Sequence, residues 1–199
     1  MRPVPHEHPW LRPAPTEGGS TWRVLAEAVA SGEVLLHGAR TAGLTALVPR
    51  TPQDHSRDEY SKQTAVYATE DPTWALAYGV RDPSCAGFLN ACLHRHQPDG
   101  SLGPREIFLS YGRSGDHAPP LSPGVVYLLP REPFIRMSSY EDELLGWITE
   151  CQWAATGAVT ILDEVTLHPE DLPLTPHLHD PAQVAERSRQ DPLGFPWWG

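Results

Sequence analysis

Ala65-Val-Tyr-Ala-Thr-Glu-Asp-Pro-Thr-Trp-Ala-Leu-Ala-Tyr-Gly79 is the stretch whose reading decides the fold. Its first residues, Ala65 to Thr69, read as a buried strand. Asp71-Pro72 then starts a helix, because an Asp side chain accepts from free N–H groups and Pro suits the first turn. Trp74, Leu76, Ala77 and Tyr78 are packing residues for a short buried helix. Tyr67 and Tyr78 therefore stand on either side of one strand-to-helix corner, with ten residues between them. Two tyrosines alone are ordinary core residues.

Upstream, Thr21 to Ala30 predicts a helix, with Ser20 or Thr21 as cap and Gly32 as stop. Glu33 to His37 follows as a short strand ending on His37-Gly38. Residues 41–64, broken by Pro49 and Pro52, predict a long surface loop of the kind that often serves as a lid or binding loop. Downstream, Ser84 to His94 predicts a second short helix, and Arg105 to Tyr111 and Gly124 to Leu129 predict strands. Pro133 to Met137 adds another strand, Glu141 to Ile148 a turn or two of helix weakened by Gly146, and Ala158 to His168 a strand bent near Asp163. Strands outnumber helices without regular alternation, so the fold class is α+β. Residues 1–19, with five prolines and two glycines, read as an N-terminal arm. Residues 20–173 form the domain, and 174–199 are a Pro-, His- and Trp-containing extension with a helix over Asp180 to Gln190.

The chain has 199 residues, enough for one domain with its own core. It carries 25 Asp and Glu against 15 Lys and Arg, a balance that disfavours a broad nucleic-acid surface but allows a local cleft lined by Arg40, Arg50 and Arg57. No apolar run approaches the roughly 20 residues that span a bilayer, and the first residues lack a secretory h-region. Cys85, Cys92 and Cys151 are an odd number without framework spacing, so reduced thiols and a cytoplasmic location are expected, with no membrane partner.

His37-Gly38 at a strand end, Tyr67 on the next strand and Tyr78 in the following helix together resemble the ADP-ribosyltransferase superfamily. The resemblance is to the branch shared by diphtheria toxin and the poly(ADP-ribose) polymerases, and it covers roughly residues 33–172. The Val-Thr-Leu-His-Pro-Glu-Asp-Leu ending is also similar to small bacterial members. The resemblance implies a split two-sheet β core with a few flanking short helices. It implies NAD as substrate, a macromolecular acceptor (protein or nucleic acid), and, for a toxin-type member, an antitoxin or immunity partner. It further implies that Tyr67 and Tyr78 sandwich the nicotinamide, where offset aromatic contacts contribute about 0.5–1.5 kcal/mol beyond area burial. His37 would hydrogen-bond a ribose, and the Gly38 backbone would meet the carboxamide. A carboxylate beside the 2′-hydroxyl would stabilise positive charge developing on the ribose.

That third position falls on Gln152 in Glu150-Cys-Gln-Trp153, where a neutral amide stands in place of the family's Glu. Glu150, two residues earlier, shares a face with Gln152 if the segment is extended, and Glu141 and Glu143 are further candidates. Mono-ADP-ribosyl transfer from NAD is the leading expectation. An NAD- or ADP-ribose-binding module of the same fold without turnover is the second. A zinc hydrolase is the third, built on Cys92, His94 and His96 at alternate positions, with His6/His8 and His177/His179 as further pairs.

Overall fold

The computed structural model describes residues 10–52, 58–113 and 119–198. The corner forms as its residues dictate. The strand Val66–Thr69 runs into the helix Pro72–Gly79 through Asp71, whose side chain accepts the Trp74 N–H at 2.6 Å, with Pro72 in the first turn. Of this helix only Tyr78 is exposed, so the helix is buried nearly all round.

In chain order the elements begin with β1 (Arg12–Pro13), α1 (Ser20–Ala30), β2 (Val34–Ala39), β3 (Ala46–Leu47), β4 (Val66–Thr69) and α2 (Pro72–Gly79). They continue with β5 (Phe88–His96), β6 (Leu102–Gly112), β7 (Gly124–Pro130), β8 (Ile135–Arg136), β9 (Tyr140–Asp142) and β10 (Gly146–Glu150). β11 (Gln152–Ala155), β12 (Val159–Thr160), β13 (Asp163–Leu167), β14 (His177–His179) and α3 (Pro181–Gln190) complete the chain. The fold is α+β. One sheet runs β1-β6-β5-β10-β9 with β14 parallel to β6, and the other runs β13-β7-β2-β4-β11-β8. β3 and β12 form a separate short pair.

The core between the sheets centres on α2. Trp74, Ala75, Leu76, Ala77 and Val80 pack with Leu36 and Val126 of one sheet and with Cys92, Ile107 and Leu109 of the other. Helix α1 adds Trp22 and Leu25, and the Trp22 indole donates to Thr73 Oγ1 at 2.9 Å. Asp71 and Arg105 link α2 to the first sheet by a 2.9 Å ion pair, and the Tyr111 hydroxyl donates to the Ala77 carbonyl. The far face of the first sheet is covered by Leu11, Trp10 and Phe195, which reach it from both ends of the chain.

Helix α2 approaches its sheet through glycines. A Cβ on Gly38 would lie 2.1 Å from the Ala75 carbonyl oxygen, and one on Gly124 would lie 2.0 Å from that of Gly79. Backbone, not a flexible side chain, occupies both places. Gly38→Ala is therefore expected to cost about 2–3 kcal/mol by overpacking. At roughly 2–4 °C per kcal/mol for a chain of this size, that is about 5–10 °C of melting temperature. An unchanged thermal transition would show that α2 does not sit this close.

Two predicted helices are strands. Residues 84–94 hold β5, whose adjacent Cys92 and Leu93 are both buried because both faces of the strand are covered. Cys92 faces the α2 core while Leu93 joins Leu11, Phe108 and Ile148, and this run of neighbouring apolar residues imitates a buried helix. Residues 141–148 form the β9–β10 hairpin. Asp142 Oδ1 accepts from the N–H groups of Leu144 and Leu145, and Gly146 takes φ +75°, so local capture of N–H groups shapes a turn there. The strand predicted to bend near Asp163 is interrupted, with β12 on β3 and β13 on β7. Among the described residues, no helix is long and apolar enough to cross a membrane.

Candidate functional site

β2 and β4 are neighbours in the second sheet, yet the register pair they share is Leu36↔Thr69 alone among the described residues. Beyond it, the His37 ring bridges the two strands, with Nδ1 2.6 Å from the Tyr67 carbonyl oxygen. A carbonyl only accepts, so Nδ1 carries the proton and Nε2 keeps a lone pair in the neutral ring. Burial lowers the His37 pKa, the bond to Tyr67 opposes this, and nearby Arg50 lowers it further. The neutral tautomer is thus the working form at neutral pH, and its Nε2 suits a hydroxyl donor such as a ribose.

A cavity of about 560 Å³ opens here, and His37, Gly38, Tyr67, Tyr78 and Gln152 all line it. That volume lies within the roughly 300–1,000 Å³ of ordinary ligand sites. The strand β2 brings His37 and Gly38, β4 brings Tyr67, α2 brings Tyr78, and Gln152 opens β11 directly opposite Thr69. Arg40 and Arg50 also line it, and no Asp or Glu does among the described residues. In a chain of formal net charge −10, this is a locally cationic cavity. Arg57, the third arginine expected here, lies outside the described residues.

Each tyrosine is held from behind. The Tyr67 hydroxyl donates to the Tyr60 and Gln63 carbonyls, at 2.8 and 3.0 Å, and so pins the segment that precedes β4. Tyr78 packs edge-on against Phe88, with ring centroids 4.9 Å apart, and its hydroxyl donates to Asn90 Oδ1 at 3.1 Å. The same Asn90 oxygen accepts the Trp74 indole N–H at 2.7 Å. Gln152 Oε1 accepts from the Ser61 hydroxyl at 3.1 Å, and Ser61 is itself buried. Sequence reasoning misses Asn90 and Ser61, and reads Trp74 only as a packing residue of α2. Ser61 lies in a stretch that reads as loop, and Asn90 in one that reads as helix.

Gly38 lines the cavity, but the backbone of α2 is what leaves no room for a Cβ there. Its glycine requirement is first a matter of helix packing.

Glu150 does not join the other five. Cys151 is a bend between β10 and β11, so Glu150 ends a strand of the first sheet while Gln152 begins one of the second. The extended-strand relation expected between them is broken. Glu150 instead lines a neighbouring cavity of about 330 Å³, where it accepts the Tyr140 hydroxyl at 2.6 Å. Ser61, Trp74, Tyr78 and Gln152 belong to the walls of both cavities. Glu141 and Glu143, on the β9–β10 hairpin, are exposed and line neither.

Of the histidines singled out as zinc ligands, three make other hydrogen bonds. His94 Nδ1 bonds the Gly103 carbonyl at 2.8 Å, His96 Nε2 bonds Thr149 Oγ1 at 2.8 Å, and His179 Nδ1 bonds Ser110 Oγ at 2.9 Å. Among the described residues, no group of three or more His, Cys, Asp or Glu is placed to hold a metal ion. His6 and His8 lie outside the described residues. No family model, curated protein or solved structure matches the chain.

Proposed function

We propose that this chain is a mono-ADP-ribosyltransferase that takes ADP-ribose from NAD, releases nicotinamide and passes the ADP-ribose to an acceptor. The observation that carries the reading is convergence. Residues from four separate places in the sequence line one cavity, and among the described residues that cavity holds Arg40, Arg50 and His37 and no carboxylate. A dinucleotide brings a diphosphate that suits arginines and a planar ring that suits tyrosine faces. In this reading the two sheets form an ADP-ribosyltransferase-like core split beside β2 and β4.

Tyr67 and Tyr78 hold the nicotinamide ring so that little freedom remains to be lost when the glycosidic bond breaks. Neutral His37 accepts a hydrogen bond from a ribose hydroxyl through Nε2. Gln152 meets the nicotinamide-side ribose as a dipole, and the Ser61 hydroxyl fixes which way the amide points. Without a negative charge at that place, transition-state stabilisation is modest and turnover is slow. The same neutral residue supports a second reading, a protein that binds NAD or ADP-ribose and does not turn it over.

Purified protein incubated with NAD is expected to release nicotinamide, measured by chromatography. Tyr67→Ala is expected to weaken NAD binding by about 30-fold, roughly 2 kcal/mol of aromatic burial and stacking. Tyr67→Phe keeps the ring and is expected to bind within about threefold of wild type, since what it removes are hydroxyl hydrogen bonds such as those to Tyr60 and Gln63. Binding without release would support the second reading. Neither binding nor release from folded protein would remove both.

A further inference from the structure

Cys92 and Cys151 lie in the core, and the transfer proposed above uses neither. Both are fully buried, and both pack in the cluster around α2. β10 pairs with β5 through Glu150↔Leu93, and one step further the Cys151 N–H donates to the Cys92 carbonyl at 2.9 Å. The two cysteines thus stand opposite each other in an antiparallel, hydrogen-bonded pair. Cα atoms in such a pair are about 5.5 Å apart, inside the roughly 4.4–6.8 Å that a disulfide spans. Their side chains share the α2 face, and the two thiols hydrogen-bond to each other. The half-buried His94 ring, two residues along β5, also reaches Cys151, while its Nδ1 bonds the Gly103 carbonyl. Cys85 is engaged elsewhere: its thiol donates to the Gly87 carbonyl at 2.9 Å.

We infer that Cys92 and Cys151 form a redox site, closed reversibly to a disulfide by hydrogen peroxide. The inference does not depend on the NAD reading. The bond from Cys92 loosens the Cys151 proton, burial opposes this, and the His94 ring adds to it. Burial first, and then Cys151, hold the Cys92 proton more tightly than usual. Cys151 is therefore the attacking thiol and Cys92 the resolving one. Cys151 gives its proton to His94, and its sulfur bonds to one peroxide oxygen as the O–O bond breaks. The departing hydroxide takes the proton from His94 and leaves as water. The Cys92 sulfur then attacks the sulfur of the Cys151 sulfenic acid. The S–O bond breaks, and hydroxide leaves with the Cys92 proton as a second water. Two thiols are oxidised to one disulfide, and one peroxide is reduced to two waters. Peroxide is little larger than water, so it can reach a buried sulfur past the half-buried His94 ring where a bulky oxidant is excluded. Cys151 lies between Glu150 and Gln152, so the new bond ties to β5 the bend that parts the two cavities.

The test starts from the full chain with its three thiols reduced. Native protein is treated with dilute hydrogen peroxide, then unfolded in the presence of a maleimide and analysed by mass spectrometry. One labelled thiol, Cys85, is expected, together with a peptide pair joined through Cys92 and Cys151. Dithiothreitol is expected to restore all three thiols. In Cys92→Ser, Cys151 is expected to stop as a sulfenic acid that dimedone captures, whereas Cys151→Ser gives no dimedone adduct at Cys92. His94→Gln is expected to slow disulfide formation roughly tenfold or more while leaving its final extent unchanged, as loss of a proton acceptor does. Thermal melting verifies that each variant folds. Three labelled thiols after peroxide, or a bond through Cys85, would overturn the inference from the wild-type protein alone. Closure as fast in His94→Gln as in wild type would overturn the part given to that ring.

Discussion

Gln152→Glu is expected to raise the rate of nicotinamide release by about two orders of magnitude. Removing one preorganised electrostatic group from an active site costs roughly 10²–10³ in rate, and supplying the missing charge is the reverse change. The side chain is nearly isosteric. The Ser61 hydroxyl, which now donates to Gln152 Oε1 at 3.1 Å, can donate to a carboxylate oxygen in the same place. Arg40 and Arg50 already line the cavity and no carboxylate does among the described residues, while the neighbouring cavity, whose wall Gln152 shares, holds Asp58, Asp142 and Glu150. Initial rates at saturating NAD, with NAD affinity measured separately, give the comparison. A rate equal to or below wild type, with NAD binding retained, would show that Gln152 does not stand beside the breaking bond.

Asp71→Ala is expected to lose about 3–5 kcal/mol of stability, the usual consequence of removing one partner from a buried ion pair. At roughly 2–4 °C per kcal/mol the melting temperature falls by about 10 °C. Asp71 is 1% exposed and has two jobs: Oδ1 accepts the Trp74 N–H that starts α2, and Oδ2 accepts from Arg105 on the other sheet. Burial pushes its carboxyl pKa up, while Arg105 and the Trp74 N–H pull it back. Asp71→Asn separates the two jobs, because Asn caps helices as well as Asp does but carries no charge for Arg105. Its loss is expected to fall between wild type and Asp71→Ala. A loss below about 1 kcal/mol for Asp71→Ala would mean that the pair is not closed in solution. Because α2 also carries Trp74 and Tyr78, cavity function is expected to fall along with stability.

The α2 corner was legible because its signals are local. Asp before Pro, a run of small and aromatic residues, and a glycine close behind all act within a turn or two of chain. His37, Tyr67 and Tyr78 were legible for the same reason, each standing at a strand end or on a short helix that its neighbours define. β5 and the β9–β10 hairpin were not. β5 is covered on both faces, which erases the alternation that marks a strand, and the hairpin depends on Asp142 capturing two N–H groups beside a left-handed Gly146. Ser61 and Asn90 gave no sign, since what makes them part of the site is a partner 91 or 12 residues away.

By itself the sequence determined the α+β class and the cap and corner of α2, and it named His37, Gly38, Tyr67, Tyr78 and Gln152, which line one cavity. Only the tertiary structure decided how charge is divided. Glu150 and Gln152 are two residues apart, and local pattern places them on one face of one strand. Their backbones instead pair with Leu93 in one sheet and Thr69 in the other, so the bend at Cys151 parts them. The pairing partners lie about 60–80 residues away in the chain, and strand register is set by such distant contacts. The tyrosine corner is therefore one wall of two cavities, cationic on one side and anionic on the other.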